Sequence, residues 1–256
     1  MDPVCKIGSV LTKTFRTDFV SNTQFVTISN YYQTLTLRDM SLAFRVYLQL
    51  NNEAVASLSR NDHHTCGKLL NQGVTAMTES TPSARREIAS VTNDCNFSLN
   101  SVTLPEIGGE LALSPDGFFE LCQHAFVIDN RTNYTRSPSE EDILRKLVIA
   151  TMLYNMGLSY HREAVSRGNL KVMKHALAIY TAAVRVVRIG PTVVTGPTGA
   201  AVLILSLINN MGHIYSHLFD FQHAFECRSL MRNLIDDPSI VDDQCTPYDC
   251  TYEYAV

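Results

Sequence analysis

Apolar positions recur at steps of three and four along most of the second half of the chain and over a shorter stretch near its start. Met40, Phe44, Tyr47, Leu48, Val55 and Leu58 share this spacing, which places them on one face of a helix beginning near Asp39. Asn61-Asp62 punctuates the pattern before a second helical stretch from His63 to about Met77. A long helix is predicted from Pro138 to Arg167. Ser137 can cap its free N–H groups, Pro138 suits the first helical position and Glu140 completes a capping box, while Gly168-Asn169 gives the stop. Leu170, Met173, Leu177, Tyr180, Val184 and Val187 form a single apolar seam on the next helix, expected over about 170–188. A linker rich in Gly and Pro (190–199) precedes helices over about 200–218 and 221–235, separated by Phe219-Asp220. The chain thus ends in two helix pairs.

Two regions lack this period. From Phe15 to Thr36 the residues are mainly Thr, Ser, Asn and aromatics with short alternation at Phe25, Val26, Thr27 and Ile28, which favours strand or irregular structure. Residues 78–137 are crowded with Ser, Thr, Asn, Gly and Pro. They read as a partly disordered insertion, with a short helix opened by Thr81-Pro82 and a strand within Phe118–Ile128. The expected organisation is an irregular segment 1–38, a degenerate hairpin 39–77, the insertion 78–137, two hairpins 138–235 and an acidic tail 236–256.

An internal repeat sharpens this reading. Leu153-Tyr-Asn155-Met-Gly157-Leu-Ser-Tyr160 aligns with Ile208-Asn-Asn210-Met-Gly212-His-Ile-Tyr215, matching an apolar residue, Asn, Met, Gly and Tyr at equal offsets. After Gly212 the pattern continues through Asp220 to Ala224, twelve residues on. Together with Gly157, Tyr160, Ala176 and Tyr180, these positions resemble the glycine, tyrosine and alanine signature of the tetratricopeptide repeat (TPR). A degraded copy lies upstream, where Leu50 and Asn52 keep their offsets, Ala54 stands where Gly does, and Ser57 replaces the tyrosine. The fold class is therefore all-α: a short TPR-like α-solenoid of helix hairpins, with a long irregular insertion and minor β or loop content in the N-terminal half.

The resemblance implies that Gly157 and Gly212 are small because the two helices of a hairpin cross there. It also implies a ligand groove lined by Thr151, Tyr154, Leu158, His161 and Arg162 from one first helix and by Ser206, Asn209, His213, Ser216 and His217 from the next. Asn52, Asn155 and Asn210 read equally as helix-to-backbone bonding or as ligand contacts. The implied function is that of an adaptor binding a protein or peptide. Arg162 is the one cation in the set, and three histidines gain charge only as pH falls through the imidazole range, so an acidic ligand is expected. The second reading is a self-associating structural protein, in which an incomplete solenoid hides its exposed end in a homodimer; a metal-binding protein or an enzyme ranks third.

Composition then removes other classes. With 21 Lys and Arg against 25 Asp and Glu, net charge −4, the chain lacks the basic field that nucleic-acid binding requires, so no nucleic-acid partner is expected. The longest apolar run, Ala200–Ile208, is half of a bilayer span, and no membrane role is expected. Seven scattered cysteines and a start, Met1-Asp-Pro-Val, without a basic and apolar leader favour an intracellular protein, cytoplasmic or nuclear. His213, His217, His223 and Cys227 have one-turn spacing in two pairs, but the repeat frame turns the pairs apart, so no metal and no cofactor is expected. Gly196-Pro-Thr-Gly199 lacks a following Lys for phosphate, and no nucleophile–base motif is present, so no enzyme is expected.

Overall fold

The computed structural model describes residues 37–79, 97–107, 112–130, 138–187 and 200–236. These comprise six helices and one two-stranded antiparallel sheet: α1 (Leu37–Leu58), α2 (His63–Glu79), β1 (Phe97–Thr103), β2 (His124–Asn130), α3 (Pro138–Arg167), α4 (Leu170–Val187), α5 (Ala200–His217) and α6 (Phe221–Ile235). The expected irregular start, the Thr81-Pro82 helix, the Ser137 cap, the 190–199 linker and the acidic tail lie outside the described residues. None of the described helices is long and apolar enough to cross a membrane.

Consecutive helices pack as pairs, α1 on α2, α3 on α4 and α5 on α6, with α2 against α3 and α4 against α5. Each sharp connection has a local cause. Asn61 adopts φ 59° between α1 and α2 and Gly168 adopts φ 62° after α3, conformations that Asn and Gly reach at low cost. At the last turn Phe219 has φ 58°, which a bulky side chain rarely adopts. The next residue, Asp220, accepts the His223 N–H at 3.3 Å and the His223 ring nitrogen at 2.7 Å, so a side-chain cap fixes the turn.

The core is continuous through the helix pairs and the insertion. Met173, Ala176, Tyr180 and Ala183 of α4 meet Leu147, Met152, Leu158 and Ala164 of α3 in one buried cluster, which also contains Leu104, Phe119, Leu121, Phe126 and Ile128. The described part of the insertion is thus built into the core. Its strand runs over His124–Asn130, later than the expected Phe118–Ile128, because residues 112–121 form a separate arm closed by the Leu113–Glu120 bridge.

The two repeat glycines meet different neighbours. A Cβ on Gly157 would lie 2.6 Å from the Tyr180 ring of α4, so this glycine marks a close approach within its own hairpin. A Cβ on Gly212 would lie 2.3 Å from the Phe119 ring. Gly212 thus makes room for a side chain of the insertion.

Candidate functional site

The faces of α1, α3 and α5 that the repeat frame turns toward a groove converge on one extended stretch of the chain, residues 122–128. A strand presents the polar groups of every second residue to the same side. In β2, residues 125, 127 and 129 turn these groups toward β1, where Val102, Asn100 and Ser98 lie opposite them. The other edge has no third strand among the described residues; helix side chains take that place.

The amide of Asn155 bonds both ways with Phe126, accepting its N–H at 2.9 Å and donating to its carbonyl at 2.8 Å. Asn52 does the same for Ile128, at 2.9 and 3.0 Å. Asn210 accepts the Cys122 N–H at 2.9 Å and donates to the Cys122 carbonyl at 3.3 Å. Between them Tyr154 donates its hydroxyl to the His124 carbonyl at 2.9 Å. A primary amide carries one acceptor and two donors in the plane that a neighbouring strand would offer, so each asparagine substitutes for a strand residue. Asn51 joins the set, donating to the Phe126 carbonyl at 2.9 Å and accepting from Asn155 at 2.9 Å. Asn52, Asn155 and Asn210 therefore spend their amides on a distant main chain rather than on the backbone of their own helices. They hold the main chain of the insertion.

Most of the ten groove positions face the same segment. Arg162, fully buried, donates to Gln123 at 2.7 Å, to the Pro105 carbonyl at 2.9 Å and to Asn61 at 3.0 Å, tying the α1–α2 turn to both limbs of the insertion. Ser206 accepts from the Cys122 thiol at 3.5 Å, Asn209 donates to the Glu120 carbonyl at 2.6 Å, and Ser216 donates to Asp116 at 3.1 Å. His213 bonds the Ala112 carbonyl at 3.0 Å and His161 at 3.0 Å, with His217 stacked 4.5 Å beyond, centroid to centroid. Leu158 is buried in the core, and Thr151 bonds the Leu147 carbonyl of its own helix at 2.8 Å. Six of the ten positions, Tyr154, Arg162, Ser206, Asn209, His213 and Ser216, thus bond a segment of the same chain, His161 and His217 join it through His213, and Thr151 and Leu158 do not take part.

Their electrostatics differ from the expectation of a groove that charges with acid. Burial holds His161 well below the ordinary imidazole range, and His213 and His217 push it the same way; it stays neutral where a solvated histidine would gain a proton. Burial also lowers Arg162, whose three partners are neutral oxygens. Asp116 lies below the usual carboxylate range: burial raises it, but hydrogen bonds from Ser114, the Phe118 N–H and Ser216 outweigh that. Tyr154 and Tyr180 are raised well above their ordinary values, chiefly by burial.

The two soft-ligand pairs have different surroundings. His223 bonds Asp220 and stacks on Tyr215 at 4.9 Å, Cys227 is buried with its thiol pushed up to about 12, and His213 and His217 lie in the row with His161. Among the described residues no group of three or more His, Cys, Asp or Glu side chains could hold a metal ion.

What the sequence did not bring forward is Phe119, whose ring fills the space left by Gly212, and the partnership between the repeat asparagines and β2. The shared offset of Asn52, Asn155 and Asn210 was the available signal. Comparison of the chain with protein-family models, with curated proteins and with solved structures finds no match.

Proposed function

We propose that this chain is a protein–protein interaction adaptor, a short TPR-like solenoid whose groove binds an extended peptide through its main chain. The observation that carries the reading is the set of three asparagines at one repeat offset, each holding the N–H and carbonyl of one residue of an extended segment. Recognition of this kind tolerates many sequences, because the backbone groups it uses are common to all residues. It also supports an adaptor that keeps a strand of its own in place when no partner is bound.

Selection of binders from a random-peptide library against the full chain tests this. Binders at the groove should raise hydrogen exchange at the amides of Cys122, Phe126 and Ile128, whose present acceptors they would take over. Binders that leave those three amides protected would place the interaction surface elsewhere.

A second reading, self-association, draws on a different observation. Phe219, Phe221 and Phe225 cluster at the last hairpin, 70%, 54% and 65% exposed. An aromatic patch of this kind at the end of a helical stack fits contact with a second copy.

A further inference from the structure

The two edges of the sheet differ. Along β2 the outward N–H and carbonyl groups of Phe126 and Ile128 are held by Asn155 and Asn52. The inward groups of Ala125, Val127 and Asp129 face Val102, Asn100 and Ser98 of β1, and the ladder continues at Leu104, whose N–H donates to the Gln123 carbonyl at 2.9 Å. Main-chain groups alternate in direction along a strand, so those of Leu99, Ser101 and Thr103 point away from β2. Among the described residues no strand lies on that side, and no hydrogen bond reaches these groups.

This edge is anchored, open and without a guard of its own. Leu99 and Leu104, 6% and 2% exposed, plant β1 in the core, while Asn100, Ser101 and Thr103 are exposed. Native proteins blunt a free edge with a charge, a proline, a bulge or a covering segment. The strand Phe-Ser-Leu-Asn-Ser-Val-Thr holds no charge and no proline, and its seven residues pair with β2 without a bulge. Nothing in it keeps an identical edge away.

We propose that β1 is a homodimerisation edge: β1 strands of two copies pair antiparallel about a two-fold axis beside Ser101, joining two sheets into one with the order β2–β1–β1–β2. The occupant follows from the edge. Donors and acceptors at strand spacing are matched by another extended main chain, and a two-fold axis turns the same three residues of each copy toward one another. Ser101 then meets Ser101, and Leu99 of either copy meets Thr103 of the other, each bonded pair exchanging two hydrogen bonds. Like charges set opposite each other would oppose this; residues 97–103 carry none. The exposed Ser101 hydroxyls come within reach of each other at the axis. A second copy closes both open edges at once, whereas a strand from elsewhere would leave its own outer edge open. The contact is one strand wide, so association is weak and depends on concentration. It uses neither the groove nor the Phe219, Phe221 and Phe225 patch, and so goes beyond both readings above.

Sedimentation of the full chain across a concentration series, with hydrogen exchange at its two ends, reads this directly. A dimer should form as concentration rises, and the amides of Leu99, Ser101 and Thr103 should gain protection in step while that of Phe126 keeps its own. Ser101→Lys sets two like charges opposite each other at the axis and should weaken the dimer about tenfold. Ser101→Pro removes from each copy an N–H that β2 does not use, and should weaken it at least as much. Should the proline variant not fold, Ser101→Lys, a change at an exposed side chain, decides. Phe225→Glu should leave this dimer unchanged. A monomer at every concentration overturns the proposal, as does a dimer that forms equally well in the Ser101 variants, or one in which the three amides exchange as fast as in the monomer.

Discussion

The α3–α4 and α5–α6 hairpins carry the same repeat signature and use it differently. In the first, glycine and tyrosine meet inside the hairpin: Gly157 leaves space for the Tyr180 ring, and eight residues of α4 are buried, among them Ala176 and Tyr180. In the second, α5 buries thirteen of its eighteen residues while α6 buries only Ala224 and Cys227. The excess on α5 is covered by the insertion: Phe119 against Gly212, Cys122 on Asn210, Ala112 on His213 and Asp116 on Ser216. Each of these helices thus buries the positions at the shared offset against whatever strand or helix lies over them, and the motif alone does not say which.

The largest effect should come from breaking the contact that separates the two hairpins. Gly212→Leu places carbon where the Phe119 ring now stands and should cost about 3 kcal/mol or more in thermal or denaturant unfolding. Phe119→Ala alone should cost about 3–5 kcal/mol. If Phe119 is what Gly212 accommodates, the double variant is less destabilised than the sum by at least about 1 kcal/mol. Additive losses would return Gly212 to a crossing with α6. Gly157→Leu should show no such coupling with Phe119→Ala, only with changes at Tyr180.

The asparagine clamps give intermediate effects with a predicted order. Asn155→Leu strands the N–H of buried Phe126 and the amide oxygen of buried Asn51, while Asn51 keeps the Phe126 carbonyl paired, and should cost about 2–4 kcal/mol, since each buried group left unpaired costs about 1–3 kcal/mol. Asn52 clamps Ile128 from a half-buried position, where water can replace the amide, so Asn52→Leu should cost about 1 kcal/mol. Equal losses at the two sites would show that burial does not set the strength of the clamp.

The smallest effect on stability belongs to the exposed end of the second hairpin. Phe225→Glu should change the unfolding free energy by no more than about 0.5 kcal/mol. Sedimentation across a concentration series should nonetheless respond if the Phe219, Phe221 and Phe225 patch pairs two copies: a concentration-dependent dimer in the wild type that becomes a monomer in the variant. A monomer in both removes the self-association reading and leaves the groove.

The periodicity of apolar residues determined the six helices almost to their ends, because a helix face is a local property of spacing, and Asn61, Gly168 and Asp220 announced their turns through local backbone and capping chemistry. Which residues of a helix share a face was also legible, since spacing fixes it. What lay over that face was not. Residues 97–130 have weak local preferences, and β2 pairs with helix side chains that lie 76 positions upstream at Asn52 and 29 downstream at Asn155, with a further contact 88 downstream from Cys122 to Asn210. No local pattern encodes such pairing. Only the tertiary structure decided it, by bringing three distant amides and the Tyr154 hydroxyl into line on residues 122, 124, 126 and 128, the spacing of alternate strand residues, where buried backbone groups must find partners.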